Sequence, residues 1–438
     1  MAAESFDPLR SAAPLIVYID YKSPYAYLAI APTYAMADEL GLEIDWRPFT
    51  LDIPSYLGSA RLDKQGKVAQ SERTPSQWLR VKLAYYDVRR YASLRGIIAR
   101  GTEKIWDSSL AGIGLLWAKA QGPAQLRAYT SITYERFWRR ELDIEDVAVV
   151  ERVLDEAGAN IAGFRDYASG EGRALHDTIQ TAAFDAGIFG VPTYIVEGER
   201  FFGREHLPRL RWMLAGRHGA PPDVAYDDPS IQRAPRGEKG PLTVVIDFKS
   251  SYAYLAVAPV CALADELGIE LDWQPLILGA ATAMEPAQGG SDRGSRHRRM
   301  RTEYLKRDMA RYAAARGLDM RGFEQGRDST LASLGLLWTK RVAPQLASAF
   351  VERIFADYGR GALDLADEKA IRAVLTEVGA SVSGFEAFAK NEGRAELERV
   401  QSQLREAGVF DVPTYVLDGE RYLGRQHLPL LRVRLMRH

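Results

Sequence analysis

The sequence contains almost no cysteine. Cys261 is the single cysteine among 438 residues, so an intrachain disulfide, a Cys-x-x-Cys redox pair and a cysteine-rich zinc site are excluded. The six histidines show no His-x-x-x-His or similar spacing, so we predict no metal site. Dithiol chemistry within this chain is therefore ruled out, and Cys261 itself is expected to be a small buried hydrophobe.

The chain also lacks a charge excess and a long apolar run. Its 57 Lys and Arg nearly balance its 58 Asp and Glu, so bulk charge favours neither nucleic acid nor an anionic membrane. The first apolar stretch, Leu15–Ile19, is too short for a signal sequence, and no segment approaches the roughly 20 apolar residues that span a bilayer. We therefore predict a cytoplasmic protein that binds neither nucleic acid nor membrane.

The most informative feature that is present is a long internal repeat. Val17–Ala29 (VYIDYKSPYAYLA) returns as Val244–Ala256 (VVIDFKSSYAYLA), and Gly187–Tyr194 (GIFGVPTY) returns as Gly408–Tyr415 (GVFDVPTY). The period is far too long for a solenoid. The repeat therefore indicates duplication of a whole domain.

The repeat and the composition between its copies set the predicted boundaries. The predicted segments are an N-terminal tail (1–14), a first domain (15–215), a linker (216–241) and a second domain (242–438). The linker is rich in Pro, Gly and charge, which favours an extended and flexible chain. About 26 such residues reach on the order of 25–30 Å, so we expect the two copies to pair within the chain. Asp52–Thr74 and Gly279–Arg298, where the copies diverge most, are predicted surface loops.

Each copy shows the same order of predicted elements. In the first copy, Leu15–Asp20 is an apolar, β-rich run typical of a buried strand. Ser23 can cap the following helix, with Pro24 at its first position. A second strand follows, then helical periodicity over 76–186 and a hairpin at 193–202. This order predicts an α/β protein with two tandem thioredoxin-like domains, each carrying a large helical insertion.

A serine stands at the start of the first helix of each copy, at Ser23 and Ser250. A thiol with a pKa of about 8.5 is mostly protonated at neutral pH. A helix N-terminus offers partial positive charge and free N–H groups, and a hydroxyl there can donate a hydrogen bond to a bound thiolate. The alternative is that each serine only caps its helix.

A Val-Pro pair precedes a predicted strand in each copy, at Pro192 and Pro413. About 5–6% of X-Pro bonds in folded proteins are cis. A cis bond here would present the valine backbone to an extended peptide such as glutathione. The alternative is a trans proline at the first residue of a strand.

Six phrases of the first copy together form a recognisable set. They are Ser23–Leu28, Trp46–Phe49, Asp87 with Arg90–Ala92, Leu142–Ile144, Gly187–Thr193, and Phe202–Glu205. With them, each copy resembles the 2-hydroxychromene-2-carboxylate isomerase family over nearly its whole length. These proteins are relatives of kappa-class glutathione transferases in the DsbA-like thioredoxin superfamily.

The resemblance implies glutathione as the cofactor and assigns roles to residues. The serine before Pro-Tyr activates the glutathione sulfur in the family, which implies Ser23, with Ser250 as its counterpart. The implied glutathione-binding residues are Val191, Pro192, Arg204, Glu205, Val412 and Pro413. The candidate substrate-binding residues are Tyr25, Arg47, Arg80 and Arg301. A guanidinium such as that of Arg47 can grip a substrate carboxylate through two hydrogen bonds.

The sequence departs from the family pattern mainly in the second copy. Where the family has Asp after the hairpin, this chain has Glu205 and Gln426. Ser251 replaces the proline after the serine, and Gln274 stands where the first copy has Arg47. The second site is therefore either degenerate or adapted to a different ligand, and we expect the first to bind glutathione at least as tightly.

These features predict a glutathione-dependent isomerase or transferase acting on a small conjugated organic acid or electrophile. The family mechanism implies addition of the glutathione thiolate to a conjugated double bond, rotation, and elimination. Conjugation, with the thioether as product, is the second enzymatic hypothesis. The competing hypothesis is a non-catalytic, duplicated thioredoxin-fold binding protein with degenerate sites.

Overall fold

The computed structural model describes most of the chain. The described residues are 6–63, 68–235, 237, 240–279, 290–325 and 327–436. They form two compact units. The first consists of the described parts of Met1–Pro222, Asp227–Ser230 and Ala287–Arg301, and the second of those of Asp223–Tyr226, Ile231–Pro286 and Thr302–His438.

The first unit begins with the predicted strand, helix and strand. These are β1 (Leu15–Ile19), α1 (Pro24–Leu40) and β2 (Ile44–Pro48). Ser23 caps α1, and Gly41 ends it with φ at 64°, a left-handed conformation that glycine adopts without a steric penalty. The helix start predicted at Ser23 and the helix end predicted at Gly41 are therefore both present in the structure.

The helical insertion follows β2. The remaining elements of this unit are α2 (Ile53–Leu57), β3 (Ala60–Leu62), β4 (Val68–Ser71), α3 (Pro75–Arg95), α4 (Ser109–Gln121), α5 (Pro123–Arg139), α6 (Val147–Glu156), α7 (Phe164–Ser169), α8 (Glu171–Asp185), β5 (Thr193–Val196), β6 (Glu199–Phe202) and α9 (Leu207–Leu214). The predicted loop Asp52–Thr74 thus contains a short helix and a hairpin, while its residues 64–67 lie outside the described residues.

The four main strands of the first unit form one mixed sheet in the order β2-β1-β5-β6. Strands β1 and β2 are parallel, with Val17 opposite Trp46, and β5 is antiparallel to β1, with Tyr194 opposite Val17. All five residues of β1 are buried, because it is a central strand with side chains packed on both faces. The C-terminal ends of the parallel strands β1 and β2 therefore lie side by side at the same end of the sheet.

The second unit repeats this topology. Its helices and strands are β7 (Leu242–Ile246), α10 (Ser251–Leu267), β8 (Leu271–Pro275), α11 (Arg293–Ala315), α12 (Thr330–Val342), α13 (Ala347–Gly359), α14 (Glu368–Glu377), α15 (Phe385–Lys390), α16 (Glu392–Glu406), β9 (Thr414–Leu417), β10 (Glu420–Leu423) and α17 (Leu428–Leu435). The sheet order is β10-β9-β7-β8. The predicted tandem α/β fold is confirmed, and the residues of α11 up to Arg301 belong to the first unit.

Two of the predicted irregular segments make many contacts. In the tail, the Tyr18 hydroxyl donates to the Pro8 carbonyl at 2.8 Å; residues 1–5 lie outside the described residues. In the linker, Val224, Tyr226 and Ile231 are buried, so this segment is packed rather than free, while residues 236, 238 and 239 are not described.

None of the described helices is both long enough and apolar enough to cross a bilayer.

Candidate functional site

The site in the first unit is built around Ser23, which connects β1 to α1. The residue is 4% exposed. Its Oγ accepts a hydrogen bond from the Ala26 backbone N–H at 3.2 Å and donates one to the Val191 carbonyl at 3.4 Å. The hydroxyl therefore caps the helix and also faces the valine that precedes Pro192, so the two alternatives for this serine do not exclude each other.

Val191 and Pro192 lie directly before β5. The Val191–Pro192 and Val412–Pro413 peptide bonds are both cis. Val191 is buried, and the Pro192 carbonyl accepts from the Gly203 backbone N–H at 2.9 Å. The fold thus brings Ser23 and Val191 together although 168 positions separate them in the chain.

A buried carboxylate holds the turn that carries Ser23. Asp20 accepts hydrogen bonds from the Ser108 hydroxyl and from the Leu51 backbone N–H, the latter at 2.7 Å. Its backbone carbonyl accepts from the Ser23 N–H at 2.9 Å, and Lys22 Nζ lies 3.8 Å from the carboxylate. Sequence reasoning missed Asp20, although the repeated Ile-Asp-x-Lys-Ser phrase contains the signal.

The implied glutathione-binding pair Arg204 and Glu205 lies near Tyr25. Arg204 is buried, and its guanidinium lies over the Tyr91 ring at 4.4 Å from the centroid. Burial, together with the negative charges of Asp87 and Glu205, raises the pKa of the Tyr25 hydroxyl. Tyr25, Arg204 and Glu205 therefore form one group of opposite charges around a phenol that stays protonated.

A carboxylate from the linker lies beside this group. The Arg95 guanidinium forms a salt bridge with Asp228 and donates to the Leu28 carbonyl. Burial and the nearby positive charge of Arg204 lower the pKa of Arg95. Sequence reasoning missed this ion pair, because its partners are 133 positions apart.

The second unit has the corresponding pair of arginines, and both contact a single linker carboxylate. Arg425 Nε donates to both oxygens of Asp223 at 3.0 Å, and Arg316 forms a salt bridge with the same group. The Tyr226 backbone N–H donates to the Gln426 carbonyl at 2.8 Å. Asp223 thus neutralises two buried or half-buried arginines at once.

Both repeats of the chain match one family of known proteins. The pattern of a family described as "DSBA-like thioredoxin domain" matches residues 14–215 and 242–436, which is most of the chain. The chain belongs to this family. Both units are therefore DsbA-like domains, and the predicted resemblance to this superfamily is confirmed.

The similar curated proteins share one name, 2-hydroxychromene-2-carboxylate isomerase. The protein from Pseudomonas putida is 29% identical over 196 residues, covering 43% of this chain and 88% of its own. The protein from Sphingobium xenophagum is 25% identical over 198 residues, covering 45% and 95%. A solved structure of 2-hydroxychromene-2-carboxylate isomerase is 23% identical, with a TM-score of 0.36, and covers 44% of this chain and 92% of that one.

The three candidate substrate-binding arginines differ in burial and in their contacts. Arg47 is buried, and it donates to the backbone carbonyls of Asp7 at 2.7 Å and Arg10 at 2.8 Å, and to the Asp45 carboxylate. Its guanidinium therefore holds the N-terminal segment. Arg80 on α3 and Arg301 on α11 are exposed.

The second DsbA-like domain carries a different arrangement before its proline. Ser250 is half-buried and accepts from the Ala253 backbone N–H at 3.3 Å. The Val412 backbone N–H donates to the side chain of Asp411 at 2.9 Å. The first domain has Gly190 at the position of Asp411, which has no side chain that could accept this bond. The Val412 backbone N–H is therefore already hydrogen-bonded within the second domain.

Cys261 lies on α10 and is half-buried. Burial, and secondarily the nearby Glu352 carboxylate, raise the pKa of its thiol to about 12. A thiol of this kind stays protonated at neutral pH and is a poor nucleophile. Within the described residues, no group of three or more His, Cys, Asp or Glu side chains is arranged to hold a metal ion.

Proposed function

We propose that this protein is a glutathione-dependent isomerase or transferase for a small conjugated organic acid, with its principal site at Ser23. The observation that carries the proposal is the placement of the Ser23 hydroxyl at the N-terminus of α1, 3.4 Å from the Val191 carbonyl. The shared name of the similar proteins supports isomerisation. When bound, glutathione would supply the thiolate that adds to a conjugated double bond and leaves again.

The role of Ser23 follows from its present hydrogen bonds. Its bond to the Val191 carbonyl is long at 3.4 Å, so the proton can turn to a sulfur at little energetic cost. The bond from Ala26 keeps the oxygen at the helix end, where the helix dipole favours a negative charge. Both effects stabilise a thiolate over a thiol, which is what activation at neutral pH requires.

The residues at Tyr25 fit the ends of a zwitterionic peptide. Arg204 can bind a carboxylate and Glu205 an ammonium group. Burial of Arg204 strengthens such a bond, because the effective dielectric constant falls away from water. We assign these two residues to glutathione and leave Arg47 out, because the N-terminal segment occupies its donors.

The proposal is tested by calorimetric titration of the full chain with reduced glutathione, followed by a turnover assay with 2-hydroxychromene-2-carboxylate. We expect saturable binding, with the first domain accounting for the tighter site, and glutathione-dependent turnover. Ser250→Ala should leave the tighter site intact. Absence of any glutathione binding to the full chain would overturn the proposal.

Asp411→Gly is expected to strengthen glutathione binding by the second domain. The substitution removes the side chain that bonds the Val412 backbone N–H and makes the position match Gly190. One backbone hydrogen bond regained by a peptide is worth about 0.5–1.5 kcal/mol, which corresponds to roughly a 2–10-fold gain in affinity.

The measurement is the weaker of the two binding phases when the full chain is titrated with glutathione. Asp411→Asn is the control, because its amide oxygen can still accept the hydrogen bond from the Val412 N–H. Equal affinities for the Gly and Asn variants would show that Asp411 does not block this site. In that case the linker carboxylate Asp223 beside Arg425 would be the stronger explanation for a weak second domain.

A further inference from the structure

The second unit contains an open cleft that the proposed function does not use. It encloses about 590 Å³ beside strands β7, β8 and β9 and helices α12 and α16. Residues 280–289 of the predicted loop Gly279–Arg298 lie outside the described residues, and the described residues of this unit define the cleft. Its lining combines apolar and charged side chains, among them Leu337, Val400, Val409, Val416, Lys340 and Arg399.

The repeat identifies the same face of the sheet in the first unit. Thr243 of the cleft lies opposite Val416 across β7 and β9, just as Ile16 lies opposite Ile195 across β1 and β5. Ile16 and Ile195 are each 2% exposed, whereas Thr243 and Val416 are half-buried. Equivalent positions are therefore covered in the first unit and accessible in the second.

The N-terminal segment covers this face of the first unit. Tyr18 and Arg47 are register partners on β1 and β2, and they lie on this face because side chains two residues apart along a strand share a face. Arg47 donates to two backbone carbonyls of residues 6–10, at 2.7 and 2.8 Å, and Tyr18 donates to a third at 2.8 Å. Phe6 and Leu9 of this segment pack against the core. A peptide segment is thus the occupant of this face in the first unit.

The second unit has no such cover among its described residues. None of the described linker residues lines the cleft. The Gly237 backbone N–H donates to the Arg434 carbonyl on α17 at 2.7 Å, so the chain before β7 follows a different course. Val245 and Gln274 replace the tyrosine and the arginine that hold the segment in the first unit. The cleft is therefore open to a segment from another protein.

The rim of the cleft carries a positive charge that the first unit lacks. Arg399 on α16 stands where the first unit has Thr178 on α8. It is exposed, donates to the neutral side chain of Gln403 at 3.3 Å, and forms no ion pair with a residue that the structure describes. Lys340, by contrast, pairs with Asp272 at 2.6 Å. Arg399 is therefore available to an anionic group of a ligand.

We propose that this cleft binds a peptide segment of a partner protein, with two apolar side chains three positions apart and a carboxylate between them. The pattern is that of Phe6, Asp7 and Leu9, which belong to the segment on the corresponding face of the first unit. The apolar side chains would be removed from water against the apolar part of the lining, and Arg399 would bind the carboxylate. This site goes beyond the proposed function and does not rest on it.

The test is a fluorescence anisotropy titration of a labelled, capped peptide with the full-length protein. The peptide has the sequence of residues 6–13, FDPLRSAA. We expect saturable binding to the second unit, because the first unit holds its own covalently attached segment. Gln274→Arg restores the guanidinium that holds the backbone in the first unit. It should tighten binding by about 10-fold or more, the effect of one added charge-assisted hydrogen bond.

A second pair of variants tests the rim. Arg399→Glu should weaken binding by roughly 2–5-fold, the range for an exposed ion pair. Arg394→Glu is the matched control, because Arg394 is an exposed residue of the same helix outside the lining, and it should leave the affinity unchanged. Ala407 is exposed and lines the cleft, so Ala407→Trp should block the cleft and abolish binding.

Absence of saturable binding, or unchanged affinity in Ala407→Trp, would overturn the proposal. N-acetylphenylalanine binding as tightly as the peptide would assign the cleft to small organic acids instead. A concentration-dependent dimer that Ala407→Trp abolishes would make a second copy of the chain the occupant. Displacement of the peptide by glutathione would place it at the glutathione site. Glutathione binding is measured in its own titration, so failure of this proposal and failure of the proposed function are distinguishable.

Discussion

Ser23→Ala is expected to raise the pKa of the bound glutathione thiol by about one to two units and to slow turnover by roughly 10–100-fold. The reason is the loss of one charge-assisted hydrogen bond, worth about 1.5–3 kcal/mol, where each pKa unit corresponds to about 1.36 kcal/mol. Glutathione should still bind, since the Val191 backbone, Arg204 and Glu205 remain. The measurement is thiolate absorbance of bound glutathione against pH.

The design needs controls because Ser23 also caps α1. Loss of the cap costs about 1 kcal/mol of stability whether or not Ser23 also stabilises a thiolate. A lower melting temperature therefore does not distinguish the two roles. Ser23→Thr keeps a hydroxyl and should restore most of the activity, and Ser250→Ala is the matched change in the second domain. An unchanged titration curve for Ser23→Ala would reduce Ser23 to a helix cap.

Asp223→Ala is expected to destabilise the second unit by about 3–5 kcal/mol, the usual cost of leaving a buried charge without its partner. Arg425 is 5% exposed, and Asp223 bonds it through both oxygens while also pairing with Arg316. The expected result is a lower urea midpoint for the transition of the second unit. That transition is followed separately because a two-unit chain need not unfold in one step.

An exposed ion pair provides the comparison. Asp38→Ala breaks the pair with Arg127, in which both side chains are about half exposed, and should cost less than about 1 kcal/mol. Replacing Asp223 and Arg425 together, as Asp223→Ala with Arg425→Met, should recover part of the loss because no unpaired charge remains at Arg425. Equal losses of stability in Asp223→Ala and Asp38→Ala would contradict the role of Asp223 as the partner of a buried arginine.

Much of the first site could be predicted because its signals are local and repeated. Ser23 is a helix cap by its own sequence context, and Gly41 ends the same helix through its left-handed conformation. Val191 and Pro192 were linked to Ser23 through the resemblance rather than through periodicity. Asp20 lies inside the repeated phrase, but its role was not predicted. A single aspartate after a strand does not indicate that three hydrogen-bond donors contact its carboxylate in the folded chain.

Other residues could not be assigned from sequence, because their roles depend on partners far away in the chain. The phrase Trp-Arg-Pro does not show whether Arg47 faces a substrate or the backbone of the N-terminal segment. The composition of the linker suggested flexibility, but it does not reveal that Asp223 and Asp228 meet buried arginines.

The sequence by itself determined the duplication, the α/β topology of each half and the presence of a single cysteine, because periodicity, caps and residue counts are local properties. Only the tertiary structure determined which charged side chains form ion pairs and which hydrogen-bond donors are already engaged within the protein. The packing of distant segments placed His297 against Tyr56 and Phe189, and it placed the linker carboxylate Asp223 on Arg425 of the second unit. Two copies with nearly the same motifs thus acquired different sites, since hydrogen bonds and ion pairs depend on distances that local sequence does not specify.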